Sequence, residues 1–531
     1  MGKQRIPLVY PVVVTVLFLI STTDLWARPT TREEARLVVA GWLTDNAEPF
    51  GAQIGGDVAN VETFTGDAGE PVYHVVHLNS AGFVVVPADD LVEPILTFAD
   101  GQDCEPSPHD PLMTLVTADI NRRIAAAYSN TSAQISIQSV TDAQTRWSTL
   151  IRRADFARDG IGILSRKTIS DIRVAPLLKT RWAQGSICSK PGYDYYTPRH
   201  YVAGCVATSM AQLMYYYRHP ANGIGWHSFT ISVLGDEQIL YTRGGDGLGG
   251  PYRWTDMVPV PNCSTTAKQR EAIGALCYDA GVAVGTNYDP QGSSADAFAI
   301  AKALREVFGF SNGINGANGG NEIGSGLANM INPNLDAQCP VILAITGDGG
   351  HAALVDGYGY DPSVRQTALY HHLNMGWGGY SDVWYNLPDT GNYDTVVACI
   401  YNIFVSGQGE IISGRITDGF DRPVVGASVK ATRGRSIYTA TTNDKGVYAL
   451  IDLPPASTFT IEVSKPGLIF TKQTVRTGTS RDWKASAGNK WGVDFTGRSV
   501  YLLETTEAAS RSDPAGLAAA WVGDALASNP Q

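Results

Sequence analysis

The sequence predicts a protein of the α+β class with several domains. In the middle of the chain, residues 204–217, 267–280 and 294–308 have compositions that favour helices, whereas strand-like runs separated by Gly turns begin at Pro340. From Gly409 onward, strand-like runs and turn signals alternate at intervals of about 8–12 residues, which is typical of a small β-sandwich. Mixed helical and strand signals followed by a β-rich end therefore predict the α+β class.

A further folded region is expected near the N-terminus. Residues 30–33 place a hydroxyl cap ahead of an acidic first helical turn, and apolar residues follow at helical spacing as far as Trp42. The runs 71–78 and 81–86 alternate around a short turn and predict a hairpin. Residues 130–173 are polar and then basic, so we interpret them as a linker with some helix.

Residues 1–27 are typical of a secretory signal peptide. Lys3 and Arg5 are basic, residues 7–20 are apolar and uncharged, and Ala27 offers a cleavage site. The alternative is a retained membrane anchor, but the apolar run is shorter than the roughly 20 residues of a membrane span. We therefore expect the signal to be removed and the protein to be secreted, either to the periplasm or to the extracellular medium.

Composition limits the classes of partner. The chain has 531 residues, 40 Lys and Arg against 51 Asp and Glu, and a net charge of −11. Such an acidic chain without a long basic block is a poor candidate for binding nucleic acid. The seven cysteines are an odd number, so at least one is not in an intramolecular disulfide. No Cys and His set has zinc-ligand spacing, and no metal or other cofactor is expected.

Cys205 and His351 are the strongest candidates for chemistry. Cys205 opens the predicted helix 204–217, where free N–H groups and the helix dipole stabilise a thiolate nucleophile. His351 follows a Gly-rich loop and opens an apolar strand-like run, and histidine can take a thiol proton near neutral pH. A buried structural cysteine and a structural histidine are the alternatives.

Two amides add to this pair. Asn374 follows His351 and could accept a hydrogen bond from the imidazolium, which would orient the ring. Gln184 precedes Cys205 and could donate to an oxyanion together with the backbone N–H of Cys205. The four residues in the order Gln, Cys, His, Asn are a much stronger signal than any one of them.

These motifs resemble the streptopain-like cysteine peptidases. The resemblance covers residues 174–406 and is carried by Gln184, the runs 204–208 and 211–214, Pro220, the run 278–284, Tyr288, the runs 292–294 and 350–352, Asp356, Gly357 and the run 374–379. It implies a papain-like fold with Cys205 as nucleophile, His351 as general base and acid, Gln184 as oxyanion donor, and Asn374 and Trp377 as supporting residues. Protein or peptide substrates follow from the same resemblance.

The flanking regions also resemble known domains. Residues 81–90 and 94–96 are similar to the inhibitory propeptide of that family, and residues 409–497 resemble carboxypeptidase regulatory-like domains. The expected layout is a signal peptide at 1–27, an inhibitory propeptide at 28–129, a linker with the processing region at 130–173, a peptidase domain at 174–406, a β-sandwich at 409–497 and a tail at 498–531. The β-sandwich is interpreted as a spacer or as a module that binds a surface ligand.

Met375 departs from the family pattern, which commonly has Trp directly after the Asn. Methionine is more flexible than an aromatic ring, so altered substrate preference or lower activity is expected. Two alternatives to a secreted endopeptidase zymogen are kept open. The chain could be a non-enzymatic binding protein with a degenerate peptidase domain, or it could transfer the acyl group to an amine instead of to water.

Overall fold

The computed structural model describes residues 28–45, 48–54, 56–66, 68–79, 82–101, 110–128, 135–160, 170–319, 323, 326–345, 350–361, 368–387 and 396–499. The predicted signal peptide and nearly all of the predicted tail lie outside the described residues. Among the described residues, no helix is long and apolar enough to cross a membrane.

The N-terminal region combines helices with an antiparallel sheet. Its elements are the helices α1 (Arg32–Asp45), α2 (Pro111–Tyr128) and α3 (Ile135–Arg158) and the strands β1 (Val58–Thr65), β2 (Pro71–Leu78), β3 (Phe83–Pro87) and β4 (Thr97–Ala99). The predicted first helix and the predicted hairpin are confirmed by α1 and by the pairing of β2 with β3. A capping box starts α1, because Thr31 and Glu34 exchange side-chain-to-backbone hydrogen bonds of 2.9 and 3.2 Å.

Helix α3 is the main difference from the predicted linker. Its residues Trp147 and Leu150 are buried in one cluster with Trp42 of α1. The two helices approach so closely that a Cβ at Gly41 would lie 2.0 Å from the Leu150 carbonyl oxygen. The polar and basic composition predicted a linker with some helix, but the Arg146 guanidinium is buried and lies 2.8 Å from the Glu93 carboxylate. Pairing of the charge therefore allows this part of the predicted linker to join the core.

The central region contains the predicted mixture of helices and strands. Its helices are α4 (Cys205–Tyr217), α5 (Ala267–Ala283), α6 (Ile300–Glu306) and α7 (Leu327–Asp336). Its strands are β5 (Asp171–Val174), β6 (Ser228–Val233), β7 (Asp236–Tyr241), β8 (Asn287–Tyr288), β9 (Asn312–Ala317), β10 (Val341–Ile345), β11 (His351–Asp361), β12 (Ala368–Asn374), β13 (Val383–Tyr385) and β14 (Val396–Phe404). Short 3₁₀ turns are Pro49–Gly51, Pro198–His200, Trp254–Asp256 and Ala297–Ala299.

One sheet joins the N-terminal and central regions. Its strand order is β1-β2-β3-β4-β13-β12-β11-β10-β14-β9, and β5 pairs with β11. The junction is antiparallel, with Trp384 opposite Phe98 and Tyr385 opposite Thr97. Alternate residues of the central strands enter two cores: Ile342 and Leu354 pack with α4, α5 and α6, whereas Leu343 packs with α2 and α7. The α+β class is confirmed.

The C-terminal region is a β-sandwich, as predicted. Its strands are β15 (Glu410–Asp418), β16 (Ser428–Arg433), β17 (Ser436–Thr441), β18 (Val447–Leu453), β19 (Thr458–Ser464), β20 (Leu468–Ile469), β21 (Gln473–Arg476) and β22 (Phe495–Ser499). They form two sheets, ordered β18-β15-β22-β20 and β17-β16-β19-β21, around one apolar core. The sandwich is tied to the central region by several polar contacts, such as the ion pair of 3.1 Å between Arg305 and Asp482.

Candidate active site

Cys205 is the first residue of α4, as the sequence predicted. Gly204 before it has a φ of 89°, a left-handed conformation that favours glycine, and a Cβ there would lie 3.0 Å from the Ser293 carbonyl oxygen. The glycine therefore lets the chain turn sharply into the helix beside residue 293. Cys205 is half-buried at a helix N-terminus, where backbone N–H groups favour a thiolate.

One face of α4 fixes the helix to the central sheet. Cys205, Ser209 and Gln212 lie four and then three residues apart, so they share this face. The Ser209 hydroxyl donates to the Ala352 carbonyl at 3.1 Å, and the Gln212 amide donates to the Asn374 side chain at 3.0 Å. These contacts set the position of the thiol relative to the first residues of β11.

His351 begins β11, next to the thiol. The backbone N–H of the adjacent Ala352 interacts with the Cys205 sulfur, which places the sulfur beside His351. Burial raises the pKa of the Cys205 thiol, and hydrogen bonds from backbone N–H groups partly oppose this rise. Burial also lowers the pKa of His351 to about 4, against the opposing effect of the Met375 carbonyl. Both shifts favour a neutral thiol and a neutral imidazole in this form of the chain.

The imidazole has a defined orientation. Nε2 of His351 lies 2.9 Å from the Met375 carbonyl oxygen, and the Trp377 ring packs edge-on at 5.4 Å between centroids. A carbonyl oxygen only accepts hydrogen bonds, so the Nε2 position carries the proton and Nδ1 of the neutral ring can accept one. This tautomer is the one that a general base toward Cys205 requires.

Asn374 does not make the hydrogen bond that the sequence predicted. Its amide nitrogen donates to the Thr180 carbonyl at 3.0 Å, and its oxygen accepts from Gln212 and from the Gly376 backbone. In the structure the Met375 carbonyl takes the expected place at His351. The physical reason is that the Asn374 side chain is buried against α4 and residue 180, where it joins three segments.

Gln184 lies on a loop between the start of α4 and the Trp377 loop. Its carbonyl accepts from the Ala203 backbone at 2.8 Å, and the carbonyl of Trp182 accepts from Gly378 at 2.9 Å. Gln184 is half-buried. The loop therefore holds Gln184 beside the residues that precede Cys205, and its role as oxyanion donor remains a prediction.

Met375 lies in the core, whereas Trp377, which the resemblance gave a supporting role, packs against His351. The Met375 side chain is 0% exposed and packs in the core with Leu373 and Val383, so it does not line the cleft. The aromatic contact with His351 comes from Trp377 instead. An effect of Met375 on substrate preference would have to act through its backbone or through packing.

Three further residues form a polar cluster that reaches the Met375 backbone, and the sequence alone gave them no role. The Asp356 carboxylate lies 2.6 Å from Nδ1 of His372 and also accepts from the Leu178 backbone. Burial lowers the pKa of His372, but the facing Asp356 carboxylate outweighs it and the net pKa is raised. Asp382 accepts from the Met375 backbone N–H at 2.9 Å. The available sequence signal for Asp382 was its position three residues after the strong motif 374–379.

A disulfide braces the loop that carries Gln184. Cys188 and Cys263 are bonded across 75 residues of sequence, and both are exposed. The sequence permitted disulfides without predicting a pairing. Among the described residues the free cysteines are Cys205, Cys277, Cys339 and Cys399. Cys104 lies outside the described residues. Within the same residues, no group of three or more His, Cys, Asp and Glu side chains could hold a metal ion.

The N-terminal region docks on the peptidase domain through β13. Strand β4 pairs with β13, and the Thr97 hydroxyl donates to the Trp384 carbonyl at 2.9 Å. Phe50 stacks on Trp384 at 4.6 Å, and Tyr385 donates to Asp119 of α2 at 2.8 Å. Residues 102–109, which follow β4, lie outside the described part of the chain.

Comparison with known proteins assigns a family to each region. Residues 182–385 match the Peptidase C10 family, residues 27–124 match the Spi protease inhibitor, and residues 411–489 match the carboxypeptidase regulatory-like domain. Streptopain of Streptococcus pyogenes serotype M1 is 30% identical over 207 residues, which are 37% of this chain and 48% of streptopain. The thiol protease/hemagglutinin PrtT of Porphyromonas gingivalis is 27% identical over 233 residues, 42% of this chain and 26% of its own length.

A solved structure covers a larger share. A fragment of prointerpain A from Prevotella intermedia is 20% identical, covers 66% of this chain and 99% of that fragment, and superimposes with a TM-score of 0.46. The chain spans about half the length of the streptopains that it matches. The predicted resemblance is confirmed: residues 182–385 match the Peptidase C10 family of streptopain-like cysteine peptidases, and they lie between regions that match the Spi protease inhibitor and the carboxypeptidase regulatory-like domain.

Proposed function

We propose that the protein is a secreted cysteine endopeptidase that is made as a zymogen. The observation that carries this proposal is the position of Cys205 at the start of α4, beside the backbone of Ala352, with the ring of His351 fixed through Nε2. This arrangement leaves Nδ1 of the imidazole as the atom that can accept the thiol proton.

The chemical steps follow from these positions. Nδ1 of His351 takes the proton from the Cys205 sulfur, and the thiolate attacks the peptide carbonyl carbon to form a C–S bond. The oxyanion accepts hydrogen bonds from the Cys205 N–H and the Gln184 amide. The imidazolium then protonates the amine as the C–N bond breaks. Water, deprotonated by His351, attacks the thioester, and the proton returns to the sulfur when the C–S bond breaks.

The substrates are proteins or peptides, and the chain's own propeptide acts as an intramolecular inhibitor. The match to the Spi protease inhibitor and the pairing of β4 with β13 support this proposal. Processing within the region 130–173 stays a prediction. The signal-like composition of residues 3–27 supports export. A surface ligand for the β-sandwich stays a prediction.

The test compares two cysteines. Cys205→Ala should abolish casein hydrolysis, self-processing and rapid labelling by a thiol alkylating reagent. Cys339→Ala is the matched control, because Cys339 is also a half-buried free thiol but lies away from His351. Casein hydrolysis by purified Cys205→Ala would overturn the proposed nucleophile. Product mass separates hydrolysis from acyl transfer to an added amine, and inactivity of the processed wild-type chain would favour a binding protein.

A further inference from the structure

The backbone of Met375 connects His351 to an acidic side chain. The Met375 carbonyl holds Nε2 of His351 at 2.9 Å, and the Met375 N–H donates to Oδ1 of Asp382, also at 2.9 Å. Both hydrogen bonds belong to the same residue. Any movement of that residue therefore moves the acceptor that orients the imidazole.

The segment between Met375 and Asp382 is rich in glycine, so its conformation depends on contacts that fix its two ends. It contains the left-handed glycines Gly376, Gly378 and Gly379, with φ values of 72°, 74° and 90°. Residues 376–381 form bends and turns, and the Gly378 N–H donates to the Trp182 carbonyl at 2.9 Å. Glycine-rich turns lose much conformational entropy when ordered, so a closing contact at their base matters. The Asp382 carboxylate provides this contact across the base of the loop.

The surroundings of Asp382 keep its carboxylate in place. It lines a cavity of about 780 Å³ together with His372 and Arg181, and Asp100 of the N-terminal region lines the same cavity. The charged groups that act on Asp382 are His372, Asp356 and Arg181. Burial raises the pKa of Asp382 to about 6, and the neighbouring His372 acts in the opposite direction. His372 is itself held by Asp356 at 2.6 Å.

We propose that Asp382 is a positioning residue for catalysis: by holding the Met375 backbone, it keeps the His351 ring oriented toward Cys205. The inference rests on the proposed function and adds a residue to it. The sequence had suggested that the Asn374 side chain orients His351. That side chain instead accepts a hydrogen bond from Gln212 and donates one to the Thr180 carbonyl.

The test uses the full-length chain after self-processing, or after limited proteolysis where processing fails. Asp382→Ala removes the acceptor, whereas Asp382→Asn keeps an oxygen at nearly the same place. We expect Asp382→Ala to lower kcat on a fluorogenic peptide by about 10- to 100-fold with little change in KM. Asp382→Asn should have a kcat within about threefold of the wild-type value, because its side-chain carbonyl oxygen can also accept from the Met375 N–H.

A second readout does not depend on proteolysis. The rate of alkylation of Cys205 by iodoacetamide, measured against pH, reports how well the imidazole stabilises the thiolate. Asp382→Ala should shift this profile toward that of a simple thiol. The matched control is Asp246→Ala, since Asp246 accepts from the Leu248 and Gly250 backbone at 2.8 Å in a loop away from His351. We expect that control to leave kcat and the alkylation profile unchanged.

The outcomes separate the two proposals. Wild-type kcat and profile in folded Asp382→Ala would overturn the positioning role, even if the enzyme is a peptidase. If Asp382→Ala does not fold, Asp382→Glu serves, because the longer side chain moves the acceptor. A wild-type profile in folded Asp382→Glu would equally overturn the inference. Absence of casein hydrolysis in the processed wild-type chain would instead count against the proposed function, while the alkylation profile still tests Asp382.

Discussion

Nε2 of His351 lies 2.9 Å from the carbonyl oxygen of Met375, so a main-chain atom and not a side-chain amide orients the proposed catalytic base. A main-chain acceptor is insensitive to the side chain that carries it. The Met375 side chain is buried in the core, which explains how this position can differ from an aromatic residue while the imidazole keeps its partner.

Gln184→Ala should reduce kcat by about 10²–10³ while KM changes little, because an oxyanion donor acts on charge that develops only in the transition state. Steady-state hydrolysis of a fluorogenic peptide measures both constants. Gln338→Ala, at an exposed position, is the control. An unchanged kcat in Gln184→Ala would remove Gln184 from the mechanism and leave the oxyanion to backbone donors.

Asp336→Asn should remove part of the pH dependence of stability. Asp336 is the last residue of α7, is buried against Ser413 of the sandwich and accepts from the Tyr358 hydroxyl at 2.7 Å, and burial raises its pKa to about 7. An acid with a raised pKa stabilises the fold fully below its unfolded value of about 3.9, and that contribution is lost as pH rises to about 7.

Urea midpoints of both proteins, measured from about pH 4 to pH 7.5, check this sign. The midpoint of the wild type should fall relative to that of Asp336→Asn as pH rises. Asp444→Asn, at an exposed loop residue, should follow the wild type. A constant difference between wild type and Asp336→Asn across this range would contradict the prediction.

Replacing both bonded cysteines, as Cys188→Ser with Cys263→Ser, should destabilise the processed enzyme by about 2–4 kcal/mol. The bond closes a long loop and braces the segment that contains Gln184, so kcat should fall as well. Urea unfolding without reductant gives the free energy. Cys339→Ser, which removes a free thiol, is the control. Equal stability of the double variant and the wild type would argue against a bracing role.

Asp119→Ala should weaken the binding of the propeptide to the peptidase domain at β13. Asp119 is 0% exposed and pairs with Arg123 at 2.9 Å and with the Tyr385 hydroxyl at 2.8 Å, so its removal leaves a buried cation unpaired. Breaking such a pair costs about 3–5 kcal/mol. We expect faster conversion to the processed form, followed by gel electrophoresis over time.

Glu33→Ala is the control for that experiment. Glu33 forms an exposed ion pair with Arg36 in the same N-terminal region, and exposed pairs contribute little. It should convert at the wild-type rate. Conversion of Asp119→Ala at that same rate would mean that docking at β13 does not limit activation.

The sequence alone could place Cys205 and His351 together because each residue has a local signal. Cys205 opens a predicted helix, where a thiolate is stabilised. His351 opens a strand-like run after a Gly-rich loop. Gln212 had a weaker signal, its helical spacing from Cys205. Asp382 had almost none, because its partner is a backbone N–H whose position depends on the path of a glycine-rich loop.

Helix α3 shows a different limit of sequence reasoning. Its composition predicted a linker with some helix, yet Arg146 is buried because Glu93 and Asp361, from distant parts of the chain, lie beside it. Charge pairs between segments far apart in sequence leave no periodic pattern. The pairing of β4 with β13 was hidden for the same reason, since strand register between domains depends on tertiary contacts.

The sheet shared by the propeptide and the peptidase domain would make activation a two-event process. A cut in the predicted processing region, residues 130–173, would break one peptide bond but would leave the ladder between β4 and β13 and the stacking of Phe50 on Trp384 in place. The severed propeptide would then leave by dissociation or digestion, and only its rebinding would depend on its concentration. Its departure would expose β13 as a new sheet edge, so the active enzyme would carry a surface that can pair with extended peptide.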